Sequence, residues 1–189
     1  MSNKKPDLRV RRTRKMVREA FIKLVITIGF DRISVQMLAD EAMINRATFY
    51  RHYEDMHDLA EKVYAELAAE YAASIQDMVF QHPEDATRML FEHVAEMADF
   101  YKSMLATMPR FQGWVRKNIA AELKAMFIQA GIKENEQDIP LDVAVRYMAT
   151  AQIGLVEWWL ETGQQVPVEE MAKYLSKLHL MGGIQALQS

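Results

Sequence analysis

Apolar residues return along this chain every three or four positions, over windows much longer than a strand, so the pattern reads as helix almost throughout. Val17, Phe21, Leu24 and Ile28 form the first stripe and predict a helix from about Leu8. Gly29 is placed to close it, with Phe30 folding back in a Schellman motif. Ser34 then offers an N-cap, followed by Val35, Leu38, Ala39 and Ala42 at helical spacing, and Asn45 offers a second N-cap shortly after. The helix that Asn45 opens runs from Arg46 to about His52. Asp55, with Asp58 at the third helical position, predicts the start of a fourth helix. Leu59, Val63, Leu67, Tyr71, Ile75 and Met78 carry it to about Gln81, before His82 and Pro83 end it.

Four further helices are expected beyond that point. One spans Asp85 to about Leu105 and carries Met89, Leu90, Val94, Met97, Phe100 and Tyr101. The next opens at Pro109 and closes at Gly131. A strongly apolar one runs from Leu141 to Glu161 and stops at Gly163, and the last begins near Pro167 and fades at Gly182 and Gly183. The expected fold is therefore all-α. A three-helix head, residues 1–54, precedes a helical body, residues 55–189.

Two short helices joined by so brief a connection cannot continue collinearly, so those capped by Ser34 and Asn45 must cross steeply as a helix-turn-helix. The second has one apolar anchor, Phe49, and otherwise presents Arg46, Ala47, Thr48, Tyr50, Arg51 and His52. That is a poor face for a core and a good one for a DNA groove. Arg46, near the helix start, suits guanine N7 and O6, while Ala47 and the Thr48 methyl suit a thymine methyl. Gln36 is a further candidate contact, and Asn45 is occupied with capping.

Charge sharpens this picture. The chain carries −3 overall, yet residues 1–62 hold 13 Lys and Arg against 9 Asp and Glu, and residues 63–189 hold 10 against 17. Arg11, Arg12, Arg14 and Lys15 crowd the start of the first helix, where they can flank phosphates. With no Cys, disulfides and thiolate metal sites are excluded. No run of about 18 apolar residues occurs, so no membrane association and a cytoplasmic location are expected. The one dense group of metal-capable side chains is His52, Glu54, Asp55, His57 and Asp58. Its two histidines are five apart and span a helix break, which is the wrong spacing for a helical metal pair. No phosphate loop or nucleophile elbow is present, so no catalytic residue, metal or cofactor is expected.

From Ser34-Val35-Gln36-Met37-Leu38-Ala39 to Arg46-Ala47-Thr48-Phe49-Tyr50-Arg51-His52-Tyr53, the chain resembles the TetR family of transcriptional regulators. Two stretches depart from that family's pattern. Met43 stands where the family usually turns on Gly, and Glu54-Asp55-Met56 replaces a common Lys/Asn pattern. The resemblance implies that Tyr50 and His52 contact phosphates and that Thr48 contacts a base or phosphate.

The last two helices are too apolar for a monomer's surface. Tyr147, Met148, Ala151, Gly154, Leu155, Trp158 and Trp159 wrap more than one face, which favours one face inside the subunit and another on a twin copy. TetR-like proteins dimerise through a bundle of their last two helices, so the resemblance points to a homodimer through 141–161 and 168–180 on a near-palindromic double-stranded operator. The body also holds many adaptable and aromatic side chains. Among them Phe80, Met97, Phe100, Tyr101, Met104, Trp114, Phe127 and Tyr147 are candidates to line a site for a small apolar or amphipathic effector. The expected function is that of a repressor released from DNA by such a molecule. The alternative is a TetR-like interaction module, or coactivator, that has lost operator binding.

Overall fold

The computed structural model describes residues 8–75, 82–133 and 139–179. Among them are nine α-helices and no strand. The head comprises α1 (Leu8–Ile28), a 3-10 turn at Phe30–Arg32, α2 (Val35–Glu41) and α3 (Arg46–Tyr50), and the connector is α4 (Met56–Ile75). The body comprises α5 (Pro83–Glu96), α6 (Ala98–Thr107), α7 (Phe111–Gln129), α8 (Leu141–Glu161) and α9 (Val168–His179). The ends expected for the fourth helix at Gln81 and for the last at Gly182 and Gly183 lie outside the described residues.

Gly29 closes α1 at φ 83°, a left-handed conformation natural to glycine, but the local motif differs from the one expected. The Gly29 amide donates to the Val25 carbonyl at 3.1 Å. The Phe30 amide, which a Schellman motif would turn back on the helix, instead donates to Thr107 Oγ1 at 2.9 Å. Ser103 Oγ donates to the same Val25 carbonyl at 2.6 Å. Two hydroxyls of α6 thus satisfy backbone groups at the end of α1, and the body is fastened to the head there.

The helix expected from Asp85 to Leu105 is two helices, α5 and α6, that break at Met97 (φ −110°, ψ 21°). Hydrogen bonds pass through the break, from Met97 N to His93 O and from Tyr101 N to Met97 O, so the chain changes direction without a loop. Packing accounts for the bend. Phe91 and Val94 of α5 join a core with Trp159, Leu160, Met171 and Leu175, whereas Phe100 and Met104 of α6 join the core of the head. No proline or glycine marks Met97, and the apolar repeat runs straight through it.

One core unites Val17, Phe21 and Val25 of α1, Leu38 of α2, Phe49 of α3 and Leu59, Val63 and Leu67 of α4 with Phe100, Met104 and Phe111 of the body. A third cluster, Phe127 with Leu141, Val145 and Met148, joins α7 to α8. Among the described residues no helix is long and apolar enough to cross a membrane.

Candidate nucleic-acid interface

Both N-caps of the paired helices form as the sequence predicts. Ser34 Oγ accepts from the Met37 amide at 3.2 Å, and Asn45 Oδ1 accepts from the Thr48 amide at 2.8 Å. Asn45 Oδ1 also accepts from Thr48 Oγ1 at 3.0 Å, so Asn45 is indeed spent on the helix start. Between them, Ile44 N donates to Ala39 O at 2.9 Å and Met43 N to Asp40 O at 3.2 Å, a Schellman close on α2. Met43 occupies its left-handed position at φ 52° and is 81% exposed. That position suits Gly, so Met43 costs backbone strain and shows an apolar side chain to solvent.

Phe49 is fully buried and is the only buried residue of α3. Its burial fixes the roll of the helix and leaves Arg46, Ala47 and Tyr50 exposed together. The helix is shorter than expected, and Arg51 and His52 follow it as a turn. The Arg46 guanidinium lies 6.0 Å from the centre of the Tyr50 ring and 3.5 Å from its hydroxyl. Arg51 donates to Thr48 Oγ1 at 3.2 Å. Gln36, exposed near the start of α2, donates to Asp40 at 2.7 Å. Arg46 and Tyr50 thus stand together on the exposed side of α3, Arg51 and Thr48 are bonded beside them, and Gln36 is exposed on the preceding helix.

His52 half-buries beside Tyr53, and burial followed by the charges of Arg14, Arg51 and Lys62 holds its imidazole below the ordinary value. Lys62 is a functional candidate that the sequence pattern missed. It donates from two turns down α4 to the His52 carbonyl at 3.2 Å and to Asp58 at 2.7 Å, and stands 5.4 Å from the centre of the Tyr53 ring. A cation at the C-terminal end of α3 is well placed against the carbonyls there. Only its i+4 relation to Asp58 was available as a signal, and the His52 contact needs the fold. Arg14 of α1 lines the same notch. Among the described residues no three His, Asp or Glu side chains gather in a geometry that could hold a metal ion.

The effector candidates do not form one group. Met97, Phe100, Tyr101, Met104 and Trp114 come together at the head–body core, with Phe100 and Met104 fully buried. Phe127 belongs to the separate α7–α8 cluster, Tyr147 is 60% exposed on α8, and Phe80 lies outside the described residues. Phe127 is buried between α7 and α8 and Tyr147 points to solvent, a division that the spacing of apolar residues alone did not reveal.

Two family profiles match the chain. "Bacterial regulatory proteins, tetR family" covers residues 18–63, and the TetR profile "Transcriptional regulator C-terminal region" covers residues 81–180, more than half the sequence. The chain belongs to the TetR family. As a TetR-family member it is a DNA-binding transcriptional regulator. Solved structures share the TetR-like fold at low identity. The dihydroxyacetone kinase operon activator DhaS matches with a TM-score of 0.66 and 19% identity over 92% of this chain and 97% of its own. A TetR regulator from Streptococcus agalactiae matches at 0.66 and 22% identity, over 90% and 94%. FadR from Thermus thermophilus, a TetR-family repressor solved with lauroyl-CoA, matches at 0.62 and 20% identity, over 89% and 94%. No curated protein matches the sequence.

Proposed function

We propose that this regulator acts as a homodimeric repressor that a small molecule releases from a near-palindromic operator. In this reading residues 1–54 bind DNA and residues 55–189 dimerise and sense the effector. Gln36, Arg46, Ala47, Thr48, Tyr50, Arg51 and His52 are the contact set, with Arg46 reading a base and Tyr50 and His52 holding phosphates. The observation that carries the DNA surface is the isolation of Phe49. One buried ring orients α3 and leaves Arg46, Ala47 and Tyr50 exposed to a ligand.

The dimer rests on α8 and α9. Val143, Tyr147, Ala151, Gly154 and Trp158 are all exposed, and at 100° per residue they fall within about 80° of arc on α8. Tyr174 and Leu178 extend the apolar surface on α9, at 50% and 60% exposure. Small residues at the centre of the stripe allow close approach of a second helix, and large rings at its ends supply area. Pairing by a two-fold axis would set two recognition helices about 34–36 Å apart, in successive major grooves.

Effector release is supported by the fastening of α6 to α1. A ligand among the aromatic side chains of α4, α6 and α7 bears on α6, and Ser103 and Thr107 join α6 to the end of α1. Such a ligand acts only by binding the DNA-free arrangement more tightly than the DNA-bound one. The Thermus FadR repressor was solved with lauroyl-CoA, an amphipathic molecule. Repression needs no more than occupancy of the operator.

A mobility shift on DNA flanking the protein's own gene tests this reading. The expected result is a retarded complex that weakens steeply as salt rises, because phosphate neutralisation releases counterions. A protein that retards no fragment at low salt, yet captures a protein partner, would instead be the interaction module that has lost operator binding.

A further inference from the structure

The stretch from His52 to Asp58, rich in acids and histidine but wrongly spaced for a metal, is explained by what its side chains hold. Asp55 Oδ1 accepts from the Asp58 amide at 2.8 Å and caps the first turn of α4. Asp58 Oδ2 reaches back and accepts from the Glu54 amide at 2.9 Å. The two aspartates thus hold backbone amides on either side of the start of α4. His57 is occupied elsewhere, with its ring 5.1 Å from that of Phe30. Lys62 completes the arrangement one turn further along α4. Its ammonium donates to the same Asp58 Oδ2 at 2.7 Å and to the His52 carbonyl at 3.2 Å, and lies 5.4 Å from the centre of the Tyr53 ring. Two side chains of α4 therefore grip the backbone that leaves α3, at His52 and at Glu54.

That grip acts where α3 has little else to hold it. The helix is five residues long, and Phe49 is its only buried residue. One buried ring sets the roll of a helix, but a tilt about that ring is opposed at the helix ends. Asn45 secures the first end through the Thr48 amide at 2.8 Å. At the other end the His52 and Tyr53 amides both donate to the Phe49 carbonyl, at 2.9 and 3.0 Å, and the next fixed points belong to α4. Lys62 is half exposed, yet its ammonium is directed at protein acceptors and its charge is matched by Asp58, so the pair adds little to the attraction for a polyanion.

We propose that Asp58 and Lys62 are positioning residues for DNA binding, which hold residues 52–54 on α4 so that the connector and the recognition helix move as one piece. Neither side chain meets DNA. The proposal rests on the reading that α3 meets DNA, and adds what sets its angle and how a shift of α4 reaches it. A contact surface works only when the groups behind it are held, and here the supporting shell is one carboxylate and one ammonium.

Fluorescence anisotropy of the full chain on a labelled duplex from the region flanking its own gene, titrated over a range of salt, tests this assignment. Lys62→Met, which keeps the length and loses the donor, and Asp58→Ala should each weaken binding about ten-fold, with the salt slope unchanged. The double variant should weaken it no further than either alone, because both break one device. Lys62→Arg, which keeps charge and donors, should retain most of the affinity. The sign of the Asp58 effect is decisive. Removal of an acid beside a polyanion tightens binding on charge alone, whereas a lost grip weakens it. A Lys62 contact to phosphate would lower the salt slope of Lys62→Met by about one per subunit. That result, or unchanged or tighter binding by Asp58→Ala, would overturn the positioning role and leave DNA binding by α3 standing. A wild-type chain that binds no duplex at low salt would overturn both. Urea midpoints should stay close to wild type, since an exposed ion pair adds little to global stability. Should Asp58→Ala lose its fold, Lys62→Met and its salt slope decide.

Discussion

Helices α3 and α8 solve opposite problems with the same periodicity. In α3 one buried residue, Phe49, holds five residues in place, and everything left outside is polar, cationic or small. In α8 eight residues are buried, yet Val143, Tyr147 and Trp158 remain exposed on another face. A polar surface set on a minimal anchor suits a hydrated polyanion, whose affinity comes from phosphates and base edges. An apolar surface left over after a full core suits a second protein surface, whose affinity comes from burial. The two ends of the molecule thus differ in what their unused faces want, and charge follows the same division.

Adjacent tryptophans give the sharpest way to break that comparison. Trp159 is 1% exposed, its ring packs edge-on against Phe91 at 5.1 Å, and its Nε1 donates to Val166 O at 2.7 Å. Trp159→Ala should cost about 3–5 kcal/mol of stability in chemical denaturation. Trp158 is 46% exposed on the outer face. Trp158→Glu should leave the subunit folded by circular dichroism and shift sedimentation toward monomer. If both variants lose stability equally and the wild type is already monomeric, the outer face of α8 is not a dimer surface.

At the other end, Arg46→Ala should cost about 1–3 kcal/mol on the preferred site and relax one base position. Tyr50→Phe should weaken all sequences alike, because a phosphate contact carries no base information. Binding titrations on matched and single-mismatch duplexes distinguish the two. If Arg46→Ala behaves like Tyr50→Phe, Arg46 touches the backbone and the base-reading role belongs to another residue of α3.

Acid should loosen the molecule before its carboxylates titrate. Burial holds His52, His93 and His179 below the ordinary histidine value of 6.5. As pH falls through that value the unfolded chain takes up protons that the folded chain resists, so stability is retained above it and drops below. Urea midpoints at pH 7.5 and 5.5 should show the loss, and His93→Gln should reduce the pH dependence.

Met43→Gly tests the smallest difference. Relieving the left-handed strain at φ 52° should stabilise the fold by about 1 kcal/mol, read as a rise in melting temperature. An unchanged or lower melting temperature would mean that the Met43 side chain contributes stabilising contacts despite its exposure.

Local chemistry made the head legible before the fold was known. Ser34 and Asn45 carry their capping signals in their own side chains, and Gly29, Gly131 and Gly163 mark helix ends by the left-handed turns they all adopt. What stayed hidden depends on partners distant in sequence. The break at Met97 exists because α5 and α6 pack on different neighbours, and Thr107 replaces the Schellman bond of α1 from 77 residues away. Lys62 finds the His52 carbonyl only after α3 and α4 cross. The aromatic supply of the body was visible, but its division among separate clusters was not, since Phe127 and Tyr147 show the same spacing as residues of the main core.

Selection of genomic fragments by the purified protein, followed by sequencing of those it retains, addresses the central claim most directly. The account predicts enrichment of an inverted repeat with half-site centres about 10–10.5 base pairs apart, or a multiple of that spacing. Arg46→Ala should change the retained motif at one symmetric position in each half-site. Recovery of no common motif, or of the same motif with equal yield from Arg46→Ala, would contradict sequence reading by α3.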